Sequence, residues 1–273
     1  TANNICSGGN IGLSVTVNNP DGGTLTWYNQ LNQPIPNPNN IVLTTTDCQG
    51  ESFSFYAVYD PTTAVCSNVF SQLVTVWVYP DITATVSGNN TCQVSLSNIC
   101  PNYTVTWAAD TNNDGIADQN GTGATYQPTD GSTGKAIFTV VHNNANVPVA
   151  CKQKTFEVDF TAPNAGTVTS VAPQIICADN LPQTITVNTN GGPNGYKYDF
   201  VLVDGLGNIL QTKNAPAKTA QFTINNPGDY CIYGISYLDV YTTSTNIVGI
   251  KGQCVDVSNT CFSVDALEDL VAS

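Results

Sequence analysis

The sequence predicts an all-β chain of three tandem sandwich domains in a rod, and three observations carry that prediction. Helical periodicity is nearly absent. Short segments of alternating apolar and polar residues recur instead, punctuated by Gly, Pro, Asn and Asp. A Cys…Trp…Cys order appears twice, Cys6–Trp27–Cys66 and Cys92–Trp107–Cys151, and a third unit opens at Cys177 and closes with Cys254 and Cys261. That order among short strands signals an immunoglobulin-like sandwich.

The elements follow in chain order. "LSVTV" (13–17), "SFSFYAVY" (52–59) and "QLVTVWVYP" (72–80) belong to a first unit, residues 1–80. "AIFTVVH" (136–142) and "KTFEVDF" (154–160) belong to a second, 81–162, and "QTITVNT" (183–189) to a third, 163–273. The junctions fall at Tyr79-Pro80-Asp81 and Thr161-Ala162-Pro163-Asn164, short and stiffened by proline. Trp27 and Trp107 read as core residues of the third strand of their units, stacked near a disulfide. The third unit carries "GYKYDFVLVD" (195–204) in that place, with Tyr196, Tyr198 and Phe200 on one face. Units two and three have first-strand candidates at 82–88 and 166–172, whereas unit one offers only "TANNI".

Composition excludes several classes. The chain has 20 Asp plus Glu, seven Lys, no Arg and a net charge of −13, and its first basic residue is Lys135. Nucleic-acid binding needs clustered cations, which are missing here, and so does docking on anionic lipid. No run of 18 apolar residues is present, so no membrane insertion is expected. The chain begins at Thr1 without Met or a signal pattern, as a processed, exported form or a segment of a longer protein would. Only 10% of residues are charged, so surfaces are made polar by amides and hydroxyls and repel one another weakly.

Ten Cys with no C-x-x-C, and a single histidine, His142, read as disulfides in an oxidising compartment rather than zinc. The sandwich pattern pairs Cys6 with Cys66 and Cys92 with Cys151. One Cys per unit is left over. Cys48 falls in the loop before the sixth strand of unit one, and Cys100 in the loop after the second strand of unit two. Those loops abut in a tandem array, so Cys48–Cys100 is a candidate bridge between units; free buried thiols or shuffled pairs are the alternatives. Cys177, Cys231, Cys254 and Cys261 allow three connectivities.

One loop offers metal chemistry. "DTNNDGIAD" places Asp110, Asn112 and Asp114 at positions 1, 3 and 5 of a turn, Gly115 at 6 and Asp118 at 9. Alternating carboxylate and amide oxygens about a Gly turn suit Ca2+. Position 12 is Gly121 rather than Glu, so weak binding is expected; a loop of plain Asx-turns is the alternative. Catalysis has little support: there is one His, no Arg and no phosphate loop, and Glu157 and Asp159 alternate along a strand as a solvated face. The sequons at Asn89, Asn102 and Asn120 arise readily in so Asn- and Thr-rich a chain.

Unit three reads "IICADNLPQTITVNTNGGPNGYKYDFVLVDGLGNIL", then "GDYCIYGISYL" and "GQCVDVSNTCFSV". Residues 175–264 resemble the Ig-like repeat of very long surface proteins of gliding, Bacteroidota-type bacteria. Units one and two are more weakly similar to the "C-S-G-G…W-Y" Ig/PKD-like repeats of the same proteins. Cys261 is an addition to that pattern, and "EDLVAS" has no counterpart in it. The resemblance implies an extracellular, cell-surface location and a role as adhesin, stalk or filament, without catalytic residues.

Two functions are carried forward. In the first, the chain is a structural subunit that self-associates head to tail. Unit one, short of an edge strand, accepts the tail of a neighbour through Leu267, Leu270 and Val271, while Asp265, Glu268 and Asp269 face solvent. In the second, it is the arm of an adhesin holding a glycan or protein ligand, with Tyr28, Tyr126, Tyr237 and Tyr241 as contact candidates.

Overall fold

The computed structural model describes residues 3–18, 20–63, 67–88, 92–129, 131–192, 195–242, 244–250 and 254–267. Strand pairing stays within three stretches of chain. The first holds β1 (Asn3–Cys6), β2 (Asn10–Ile11), β3 (Thr24–Asn29), β4 (Ile41–Val42), β5 (Glu51–Asp60), β6 (Val69–Phe70) and β7 (Val74–Tyr79). One sheet runs β1-β7-β5-β3 with β6 on β5, and β2 pairs β4 in the other. The second holds β8 (Thr85–Ser87), β9 (Val94–Ser97), β10 (Tyr103–Asp110), β11 (Gln119–Thr122), β12 (Thr125–Tyr126), β13 (Thr133–His142), the one-turn helix α1 (Val149–Lys152) and β14 (Gln153–Thr161). Its sheets are β12-β9-β8 and β11-β10-β13-β14. The third holds β15 (Val168–Ser170), β16 (Ile175–Cys177), β17 (Gln183–Thr189), β18 (Lys197–Asp204), β19 (Ile209–Asn214), β20 (Thr219–Ile224), β21 (Gly228–Tyr237), β22 (Val255–Val257) and β23 (Phe262–Leu267). Its sheets are β15-β17-β20 and β16-β23-β21-β18-β19, with β22 on β21.

The fold is therefore three immunoglobulin-like sandwiches in series. The alternation along each strand explains it: in β13, Gly134, Ala136, Phe138, Val140 and His142 are buried while the residues between them face out. Each unit has its own core. Leu13, Trp27, Leu43, Phe55, Ala57, Val76 and Val78 form the first. Phe138, Phe160, Tyr126 and Ile82 anchor the second, and Phe200, Phe222, Ile185 and Ile232 the third. The chain exposes 15348 Å², where a compact monomer of this mass exposes roughly 11,000 Å². The excess is what three small, separate cores require.

Trp27 and Trp107 both lie on the third strand of their units, Trp27 in the first core and Trp107 packed against the second. Trp107 packs at a tilt against Tyr126, ring centroids 4.6 Å apart. A side chain at Gly121 would meet the indole at 2.4 Å, so only glycine fits across from it.

Two segments of unit one depart from the strands their sequence predicts. Residues 13–17 form no ladder; they are extended, and beyond Leu13, whose amide donates to the Pro38 carbonyl, Ser14–Asn18 makes no backbone hydrogen bond among the described residues. "TANNI" is not a first strand beside the second: Asn3–Cys6 crosses to the opposite sheet and pairs parallel with Val76–Tyr79. In units two and three the first-strand candidates do lie beside the second strand, Val86 opposite Leu96 and Thr169 opposite Asn188.

Candidate functional sites: covalent joints, an Asp-Asn loop and aromatic faces

The cysteines lie mostly where units meet. Cys48 bonds Cys100, Cα atoms 5.6 Å apart. The pairs read within units do not form: Cys6 bonds Cys151, and Cys92 bonds Cys254. The reason is topological. Cys6 ends β1 and Cys48 precedes β5, both at the end of unit one that faces unit two. Cys100 lies between β9 and β10, and Cys151 in α1 between β13 and β14, at the facing end of unit two. Cys92, between β8 and β9, lies at the far end of unit two, beyond reach of Cys151. The loop argument that matches Cys48 to Cys100 applies equally to these pairs, so the signal was present. Cys231 bonds Cys261 inside unit three. Cys177, read as a disulfide partner, is an exposed free thiol, and Cys66 lies outside the described residues.

The first joint is dense. Beside its two disulfides, the Asn4 side-chain amide donates to the Asn146 carbonyl at 2.7 Å and Asn102 donates to the Cys48 carbonyl at 3.2 Å. Asn102 is thus committed to the joint rather than presented as a sequon. Tyr79, Val147 and Cys151 form a small buried cluster with Cys6 packed on it. The ring of His142, buried at 1% exposure, lies between Tyr79 at 5.7 Å and Tyr103 at 4.8 Å. Its Nδ1 accepts from the Asn144 amide at 3.2 Å, so the neutral ring carries its proton on Nε2. Among the described residues Nε2 has no partner at hydrogen-bonding distance. Burial pushes the imidazole below its ordinary pKa; the Cys48 carbonyl pulls the other way, and Lys152 adds to the lowering.

The second joint has one bridge, Cys92–Cys254, set in a cluster with Ala162 and Leu238. The linker is held by polar contacts: the Ala165 amide donates to Asp256 Oδ2 at 2.6 Å, and the Tyr198 hydroxyl to the Ala165 carbonyl at 2.5 Å. Burial raises the Tyr198 phenol to about 12. Tyr196 donates to the Thr161 carbonyl.

Cys254 belongs to a feature that the sequence reading did not resolve. Residues 238–242, 244–250 and 254–257, between β21 and β23, fold back over the outer face of the unit-three sheet. They build a second core around Val201, Val203, Ile235, Tyr237 and Ile250. Asp199, buried there, accepts from Asn214 at 2.8 Å, Tyr237 at 3.2 Å and Tyr241 at 2.8 Å. The signal was the run of β18, where six consecutive residues from Tyr198 to Val203 are buried; a strand apolar on both faces needs cover on both.

The aromatic contact candidates sort accordingly. Tyr237 and Tyr241 are held on Asp199, and Tyr126 is 1% exposed in a core. Tyr28 stands on an open face, stacked on Tyr56 at 5.5 Å, with Phe70 6.3 Å further along. Stacked rings spend their faces on one another and present edges outward.

In the Asp-Asn loop the oxygens turn onto the loop's own amides. Asp110 accepts from Asn112 at 3.2 Å, Asn113 at 2.7 Å and Gly115 at 2.8 Å. Asn112 accepts from Asp114 at 3.0 Å and Asp114 from Ile116 at 2.8 Å. Asp118 holds Thr111 through its amide at 2.8 Å and hydroxyl at 2.7 Å. Partial desolvation pushes Asp110 up, but the loop amides outweigh it and hold the carboxyl below its usual value. Among the described residues no group of three or more His, Cys, Asp or Glu is gathered closely enough to enclose a metal by itself. Asn112 and carbonyl oxygens would have to complete any cation shell here. Of the donor tail, Leu267 ends β23 half-exposed, and Leu270 and Val271 lie outside the described residues.

No protein-family model matches the chain, nor does any curated protein sequence. Three N-terminal domains of the bacteriophage RB49 Highly Immunogenic Outer Capsid protein align over 95% of this chain and 92% of theirs, at 10% identity and a TM-score of 0.35. The FN1–FN3 domains of chicken CNTN1 cover 92% and 90% at 10% identity, TM-score 0.30. Fibronectin(III)-like modules of Clostridium thermocellum CbhA cover 68% and 95% at 12% identity, TM-score 0.26. Likenesses this distant carry no argument, and the fold rests on the strand pairing above.

Proposed function

We propose that the chain is a non-enzymatic structural subunit of an extracellular, cell-surface filament, assembled head to tail and stiffened at its joints. The single observation that carries this reading is that, among the described residues, three of the four disulfides join units rather than brace a sandwich. A disulfide inside a sandwich stabilises that sandwich; one between sandwiches fixes their relative direction. With the peptide linker, the first joint has three covalent attachments, which leave no free rotation. The second has two and retains a hinge axis, which the contacts of Asp256, Tyr196 and Tyr198 oppose. Direction held over the length of a molecule is a mechanical property, suited to a stalk or fibre. Disulfides in this number also place the chain in an oxidising compartment.

The adhesin-arm reading keeps one observation in its favour, the open face bearing Tyr28, Tyr56 and Phe70. Electron microscopy of the purified protein separates the two. The structural reading expects fibres with a repeat of one molecule; isolated straight rods at every concentration would favour the arm.

A further inference from the structure

Unit one has an uncovered edge that the other two units do not. In unit two, β8 lies beside β9, with Ile82 from the segment leading into it buried at 2%. In unit three, β15 lies beside β17 and buries Val168 at 5%. Both cover the C-terminal half of their unit's second strand. In unit one the equivalent half, Ser14–Asn18, has no backbone partner among the described residues. Beside it runs a groove of about 570 Å³ lined by Val15, Val17, Leu25, Tyr59, Val69 and Phe70 among others. The groove is built rather than collapsed: Asp21 at its end accepts from the Tyr59 hydroxyl at 2.5 Å and the Thr62 amide at 3.0 Å, tying two loops together. Unpaired donors and acceptors beside an apolar slot are the requirements for receiving a strand.

Topology states where that strand belongs. In unit three the covering strand β15 comes just upstream of β16, which pairs parallel with β23. The counterpart of β16 in unit one is β1, parallel with β7. A covering strand would therefore lead into Asn3, on the side where a preceding copy ends in a head-to-tail array. We infer that residues 268–273 of a second copy fill this groove as the first strand of unit one. This deepens the filament reading and rests on it. In a regular strand Glu268, Leu270 and Ala272 share one face, and Leu267, Asp269 and Val271 the other. Only the first set puts an aliphatic side chain in the slot while keeping Asp269 out, with Glu268 at its mouth. Leu270 is thus the anchor, and Val271 faces solvent. Unit one carries no Lys or Arg, so an acidic side chain inside the slot would find no cation; on the Leu270 face the only acid, Glu268, stands at the outer end of the strand in water, whereas the other face would carry Asp269 inside.

The test uses the full chain, a fluorescent peptide of residues 265–273, and electron microscopy in parallel. The labelled peptide should bind the full chain, and Thr16→Pro should weaken binding at least tenfold. Among the described residues the Thr16 amide meets no acceptor, so the proline removes no hydrogen bond of the free chain found there. Val15→Asp, which charges the groove wall, is the second variant and should act alike; melting curves check that both fold. Leu270→Asp in the peptide should abolish binding and Val271→Asp should spare it, and fibres of the chains carrying these changes should follow the same order. Fibres that form despite Thr16→Pro and Leu270→Asp overturn the groove assignment and leave the filament reading standing. Peptide binding lost with Thr16→Pro, in a chain that never polymerises, supports the groove and refutes the filament. No peptide binding and no fibres refute both, and the strand then comes from residues upstream in a longer chain.

Discussion

Units one and three are the same sandwich finished to different degrees. Unit three has strands beside both its second and its last strand, β15 and β16, and a flap over its outer face; its two cores hold residues as large as Phe200, Phe222 and Tyr198. Unit one has only β1, a second sheet of two paired residues per strand, and a core of seven described residues. Both units expose large apolar side chains, Val69, Phe70 and Leu73 in unit one and Val171, Leu206 and Val248 in unit three. What unit one lacks in burial it gains in attachment, since both disulfides of the first joint are anchored in it. The difference teaches that this chain distributes stability unevenly: one end is self-sufficient, and the other depends on its neighbours.

Breaking the attachment should have the largest effect. The bridges of the first joint close loops of 145 and 52 residues, and a loop of such length contributes about 4–5 kcal/mol through the unfolded state. Once one bridge is made the other closes a shorter loop, so the pair contributes less than the sum. Cys6→Ser with Cys48→Ser should let unit one open first, seen by hydrogen exchange as early loss of protection in β3, β5 and β7 while β18 and β21 stay protected. Uniform loss along the chain would erase the distinction between the ends.

Next, Phe222→Ala, in the unit-three core at 1% exposure, should cost about 3–5 kcal/mol. Because the cores are separate, it should shift only the transition that belongs to unit three. The loop of unit two sharpens the comparison at a smaller scale. If Asp110, Asn112, Asp114 and Asp118 take Ca2+, melting in a hundredfold excess over Kd should gain about 2.7 kcal/mol over chelator, and Asp114→Ala should remove the gain. Equal melting curves for the unaltered chain in both conditions would leave the loop as a set of Asx-turns.

The smallest effect belongs to His142. Its pKa is lowered by folding, so below an unfolded value of about 6.5 the unfolded chain takes up a proton that the folded joint refuses. The stability it contributes is complete above about pH 6.5 and falls as pH drops toward the folded pKa. It is the only histidine, so one NMR titration reads it directly, and His142→Phe should flatten that part of the stability profile. A folded pKa at or above 6.5 would show that the ring is not buried in the joint.

Much of this was legible in the residues. Alternation within β5, β13 and β17, and Trp27 and Trp107 as third-strand residues, follow from local pattern, which fixes strands because side chains alternate by two. Cys48–Cys100 followed from asking which loops share an end. Cys6–Cys151 and Cys92–Cys254 did not, because the familiar bracing of one sheet to the other was expected to claim those cysteines first. The crossing of Asn3–Cys6 to the opposite sheet was hidden for a different reason: four residues of edge strand carry the same pattern whichever sheet they join. The flap over unit three, with Tyr237 and Tyr241 turned onto Asp199, depends on contacts between residues 38 and 42 apart in sequence, beyond what periodicity records.

The central claim is that the cysteines hold units to one another. Non-reducing peptide mapping tests it most directly. Trypsin finds no site before Lys135, so the digestion needs a protease that cuts at acidic or aromatic residues. The account predicts linked peptides for Cys6–Cys151, Cys48–Cys100 and Cys92–Cys254. Recovery of Cys6–Cys66 and Cys92–Cys151, each confined to one sandwich, would contradict it.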